Sequence, residues 1–140
     1  MKSTDDLLKE LSGTDDINDF LKNNENNLDY VSISKYLNRL VSEKNLKKSE
    51  VIRNSELSEI YAYQIFSGKK CNPSRDKVLC LAFGMGLNVE ETQQMLKVFS
   101  FPILYAKRKR DSIIIFALNK GLSVLDTNEL LYNSDEETLG

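Results

Sequence analysis

The side chains that usually carry catalysis are nearly missing from this chain. Its 140 residues contain no histidine, which removes the commonest general base and metal ligand. The two cysteines, Cys71 and Cys80, fit neither a disulfide framework nor a metal site. Neighbouring carboxylates occur at Asp15 with Asp16 and at Asp135 with Glu136 and Glu137, where helix capping or a solvated tail explains them. No glycine-rich phosphate loop follows a strand pattern, and no serine or cysteine sits in a nucleophile setting. An enzyme is therefore not expected, and no cofactor or metal is implied. What remains is the chemistry of recognition, concentrated in residues 58–75, SEIYAYQIFSGKKCNPSR. On a helix at 100° per residue, Ala62, Ile65 and Phe66 cluster on one face. Ile60, Tyr63, Gln64 and Ser67 cluster opposite, flanked by Glu59 and Tyr61. The tyrosines serve packing or a partner's phosphate equally well, and Phe66 is a packing residue.

These residues need elements to hold them, and the elements follow from periodicity and caps. Two prolines, six glycines and few β-branched alternating runs make helix the leading structure, and the length supports one core. Residues 4–12 form a short helix ending before Gly13, Thr14 caps a second, and the asparagine-rich tract 23–27 is a linker. Ile33, Leu37, Leu40 and Val41 mark an amphipathic helix to about Lys44, and residues 48–55 a short one with Val51 and Ile52 inward. Ser58 caps the helix that Gly68 ends, with Leu57 and Ala62 forming a hydrophobic staple. Ser74 caps a densely apolar, central helix, and Asn88 caps the next. Past Pro102, KRKR at 107–110 reads as a solvated turn, with phosphate contact the alternative, before an apolar helix, DSIIIFALNK, closed by Gly121. Ser123 starts a final helix, and the acidic tail SDEETLG frays.

The formal net charge of −2 hides an uneven distribution: −5 over residues 1–30, +8 over 31–110 and −5 over 111–140. The basic middle suits a polyanion, or else the acidic ends fold back on it. The N-terminus lacks a secretory pattern and no apolar run is long enough to span a membrane, so a cytoplasmic location is expected and a membrane partner is not.

Two short helices joined by a tight turn, the second entering the major groove, define the helix-turn-helix unit, and residues 48–55 and 58–67 fit it. Over residues 33–99 the chain resembles the phage-repressor-like (Cro/C1, xenobiotic-response-element) regulators. The resemblance rests on Val51-Ile52, Leu57-Ser58, Ala62, Ile65, Gly68, Pro73, Leu79, Leu81-Ala82, Gly86-Leu87 and Leu96. The whole chain, including SFPILY and DSIIIFALNKGLSVLDTNELLY, is also similar to a group of uncharacterised regulators of Clostridia-type bacteria. The resemblance implies an all-α chain: a lambda-repressor-like five-helix DNA-binding domain at 31–100, an acidic N-terminal helical element at 1–30 and a C-terminal helical extension at 101–140. It implies base readout by Glu59, Ile60, Tyr61 and Gln64, with Tyr63 beside them. Glutamine bonds adenine at N6 and N7, glutamate accepts from a cytosine amine, and isoleucine touches a thymine methyl. It implies phosphate contacts from Lys48 and the adjacent Lys47, from Ser58, and from Lys69, Lys70 and Arg75.

Three positions depart from that family. Ile52 replaces a small residue, Phe66 replaces an acidic one, and Glu56 replaces the turn glycine, so the turn is expected to adopt a conformation that a side chain tolerates. A single unit contacts few base pairs, so a homodimer on half-sites about 34 Å apart is expected, joined through residues 109–133 or, failing that, the fifth helix of the domain. The competing expectation keeps the fold and makes Ile60, Tyr61 and Tyr63 a patch for a protein partner.

Overall fold

A computed structural model of the chain describes residues 2–24, 29–69 and 72–140. Among the described residues the chain is all-helical, with nine helices and no strand. They are α1 (Thr4–Gly13), α2 (Ile17–Asn23), α3 (Asp29–Glu43), α4 (Lys48–Ser55), α5 (Glu59–Ser67), α6 (Arg75–Met85), α7 (Val89–Val98), α8 (Lys109–Lys120) and α9 (Val124–Asn133). The starts of α5, α6, α7 and α9 lie where their capping side chains predict. Ser58 accepts from the Tyr61 amide, Ser74 from Lys77, Asn88 from Glu91 and Ser123 from Asp126. At Asn88 the cap is reciprocal, because the Glu91 carboxylate accepts from the Asn88 amide. Lys44 also pairs with Glu91, and these contacts hold its carboxyl below the ordinary range.

The hairpin α1–α2 differs from expectation at its joint. Asp16, not Thr14, caps α2, while the Thr14 hydroxyl accepts from the Asp16 amide. Asp16 stands immediately before the first residue of α2, two positions past Thr14, and its carboxylate accepts from the Asn18 amide at 2.9 Å. Of the tract expected as a linker, Asn23 closes α2 and Asn24 is buried, donating to Glu10 and to the Phe20 carbonyl. Residues 25–27 lie outside the described residues. Phe20 is buried but stands apart from the main core.

That core is built around α6, whose residues Val78 to Met85 are all buried. Burial pushes the Cys80 thiol within it up to about 11, which leaves the sulfur inert at neutral pH. A Cβ built on Gly84 would lie 2.5 Å from the Val51 carbonyl oxygen and 3.0 Å from the Ser55 nitrogen, so α4 approaches α6 through backbone. Ser55, fully buried, donates to the Ile52 carbonyl at 2.6 Å and accepts from the Leu57 amide. The small residue missing at Ile52 is thus replaced by a serine and a glycine elsewhere on the same contact.

The turn from α4 to α5 corrects an expectation. Glu56 adopts the left-handed conformation, φ 62° and ψ 11°, that a glycine would take, rather than one suited to a side chain. Its amide closes on the Arg53 carbonyl, so the packing of the two helices sets the backbone and the residue bears the strain.

The segment after Pro102 shares the same core: Leu104, Ile114, Ala117, Leu118, Val124, Leu131 and Leu139 are contiguous with it. Two Arg-Asp dipeptides cross-pair to hold it there. Arg75 forks onto Asp111 at 3.2 and 3.1 Å, and Arg110 forks onto Asp76 at 2.9 Å twice. The tail does not fray. Asn128 exchanges two hydrogen bonds with the Leu139 backbone, and Arg110 donates to the carbonyls of Glu137 and Thr138. Part of the basic middle therefore answers charge and carbonyls from the chain's own C-terminal segment. KRKR is accordingly divided: Lys107 and Arg108 are exposed, whereas Lys109 donates to the Ser134 carbonyl and Arg110 is spent internally. Among the described residues no helix is long and apolar enough to cross a membrane.

Candidate functional site

The position of α5 is set at both ends. Its start is fixed by the Ser58 cap, and its last turn is tied to α3, where Ser34 and Asn38 donate to the Phe66 carbonyl at 2.6 and 2.9 Å. Gly68 then leaves the helix at φ 86°. Ala62, Ile65 and Phe66 are buried as their periodicity predicts, and Lys48 lies with its ammonium 5.2 Å from the centre of the Phe66 ring.

The opposite face is open. Ser58, Glu59, Ile60, Tyr63, Gln64, Ser67 and Lys69 line one groove of about 830 Å³. Ile60 is 75% exposed and Tyr63 40%. Beside it a smaller groove runs between α4 and α5, lined by Ser49, Ile52, Arg53, Glu56, Leu57, Glu59 and Tyr63. This face carries an amide, a carboxylate, a phenol and an aliphatic side chain within two turns of helix. Hydrogen-bond donors, acceptors and apolar surface are available together, on an element that its caps and its α3 anchors hold rigid.

The residues expected at the site separate into three groups. Glu59, Ile60, Tyr63, Gln64, Ser58 and Lys69 come together in the groove. Lys47 and Lys48 stand at the start of α4, the first exposed and the second half-buried. Tyr61 and Arg75 are elsewhere. Tyr61 is packed against the core under the Lys77 ammonium, 5.2 Å from its ring, and burial raises its phenol above the ordinary range. Arg75, expected on a flanking phosphate, has its guanidinium committed to Asp111 and to the carbonyls of Pro102 and Ile103. Arg75 is the first residue of α6 and Asp111 lies in the first turn of α8, so the ion pairs join the starts of the two helices. Lys70 lies outside the described residues.

Sequence reasoning missed Ser34 and Asn38, which hold the far end of α5. A polar pair at i and i+4 on an amphipathic helix is the one signal for them, and it is shared by many solvated faces. Among the described residues no group of three His, Cys, Asp or Glu side chains is arranged to hold a metal ion. No protein-family model, curated protein or solved structure matches the chain.

Proposed function

We propose that this chain is a sequence-specific DNA-binding transcriptional regulator of lambda-repressor-like fold, acting as a dimer, with α4 and α5 as its helix-turn-helix. The observation that carries the reading is the division of α5. One face is locked into the core while the other presents Glu59, Ile60, Tyr63 and Gln64 in an open groove, with Lys69 at its end. A helix about 10 Å across fits the major groove, where such side chains meet base edges, and Lys47, Lys48 and Lys69 flank it for phosphates. The amides at the starts of α4 and α5 add donors for the same backbone.

Two copies are needed for affinity, and α8 with α9 supplies a face for pairing. Ile113, Phe116 and Leu130 line a groove there with Ser112 and Ser134, and Phe116 is half exposed under the Lys120 ammonium. A second reading is favoured by the apolar character of the α5 face: Ile60 and Tyr63 beside Glu59 would equally suit a protein partner.

Titration of the protein against DNA upstream of its own gene, followed by fluorescence anisotropy across a salt series, tests the proposal. Affinity falls steeply with salt, Lys69→Ala lowers the log–log slope by about 1, and Gln64→Ala relaxes preference at one base pair. Absence of binding at low salt, with capture of a protein that Tyr63→Ala releases, replaces the regulator with the second reading.

A further inference from the structure

We infer that α5 recognises A·T base pairs through the thymine C5 methyl group, so that the bound DNA is A·T-rich where α5 faces it; this rests on the DNA-binding reading above. Between residues 33 and 102, among the described residues, just two large apolar side chains are exposed, Ile60 and Tyr63. Both lie on the outward face of α5 and line the same groove. An aliphatic side chain left uncovered on a domain that buries or half-buries the rest of its large apolar side chains has apolar surface to match. In the major groove the base pair that offers it is A·T, through the thymine methyl.

Of the polar side chains beside them, Gln64 agrees, since its amide can bond adenine at N7 and N6; Glu59, at the start of the helix, would accept from a cytosine amine at a neighbouring pair. Reading guanine takes a cationic double donor against O6 and N7. The outward face of α5, Glu59, Ile60, Tyr63, Gln64 and Ser67, carries no cation. The neighbouring guanidinium, Arg53, belongs to α4 and lines the adjoining groove with Glu56 and Glu59 rather than this face. A G·C pair facing Ile60 would have polar edges desolvated against a hydrocarbon without a partner. Lys47, Lys48 and Lys69 flank this face, where phosphates would lie, and among the described residues none of them is paired with the chain's own carboxylates as Arg75 and Arg110 are. That distribution favours a nucleic acid over a protein as the occupant of this face.

The test compares three duplexes of about three helical turns: alternating A-T, the same with deoxyuridine for thymidine, and alternating G-C. Deoxyuridine removes the methyl and nothing else. Full-length protein and Ile60→Ala are titrated against each at low salt, with circular dichroism to verify folding of the variant, whose altered side chain is exposed. The A-T duplex is expected to bind roughly tenfold or more tighter than G-C. Deoxyuridine is expected to weaken binding by about fourfold for each methyl contacted. Ile60→Ala binds the thymidine and deoxyuridine duplexes alike. Equal binding of those two duplexes by the unaltered protein, a preference for G-C, or discrimination that survives in Ile60→Ala overturns the inference and leaves DNA binding standing. Failure to bind any of the three duplexes overturns both, as a protein ligand for this face would require.

Discussion

Replacing Gly84 by alanine sets two physical effects against each other, and the geometry decides between them. Gly84 is the second-last residue of α6, where the advantage of alanine over glycine is at most the mid-helix figure of about 0.5–1 kcal/mol. A Cβ there meets the Val51 carbonyl oxygen at 2.5 Å, the Ser55 nitrogen at 3.0 Å and the Ser55 Cβ at 3.1 Å. An ordinary carbon–oxygen contact is about 3.3 Å or more, so the α4 backbone must retreat by roughly 0.8 Å. Backbone cannot rotate away as a side chain end does. A gap of that size forfeits about a quarter to a half of the dispersion at each parted contact, and overpacking of this kind costs about 1–3 kcal/mol. The penalty exceeds the propensity gain, and Gly84→Ala is expected to destabilise by about 1–2 kcal/mol net. Urea unfolding followed by circular dichroism measures it, with Gly13→Ala as the control, because nothing lies within 4 Å of a Cβ at Gly13. Equal or greater stability of Gly84→Ala would refute the close α4–α6 approach. Since α4 carries Lys48 at its first residue, the variant should also weaken DNA binding at temperatures where it remains folded.

Other outcomes follow from single residues. Glu56→Gly should stabilise by about 0.5–1 kcal/mol in the same unfolding assay, since left-handed strain of about 1–2 kcal/mol is released against the entropy of glycine; a loss of stability would mean that the turn relaxes in solution. Glu91→Gln should cost about 0.5–1 kcal/mol at neutral pH through the Lys44 pair and the start of α7. Because the folded carboxyl titrates below its unfolded value, that contribution is present above the unfolded pKa and disappears as pH falls through the folded one, so the two proteins converge in acid. A difference that persists at pH well below the lowered folded pKa, where the carboxyl is protonated in both states, would rule out the charge as its source. Phe116→Lys should raise the dimer dissociation constant by roughly thirtyfold or more in sedimentation experiments, and an unchanged dimer would move the interface off the α8–α9 groove.

Much of the local structure was legible from residue type and spacing. Ser58, Ser74, Asn88 and Ser123 start helices, and Gly68 and Gly121 end them, because a cap needs just a side chain and the amide or carbonyl next to it. The two faces of α5 were legible for a similar reason: a period of 3.6 residues puts Ala62, Ile65 and Phe66 together whatever they pack against. The misplaced residues fail by the same logic in reverse. Tyr61 flanks the boundary between those faces, and the ammonium of Lys77, sixteen positions on, draws it to the core side.

The sequence by itself determined where the helices lie, which face of α5 is turned inward, and that the basic charge belongs to the middle of the chain. Tertiary structure alone decided which of those charges remain available. Arg75 and Arg110 are no different in sequence from Lys47 or Lys69, yet each is consumed by the aspartate of the other's dipeptide, 36 and 34 residues away. The same holds for Glu56, forced left-handed by the helices it joins, and for Gly84, whose missing side chain lets those helices meet. Local propensity acts over a turn of helix, whereas ion pairing, strain and close packing depend on atoms that the folded chain brings together from far apart.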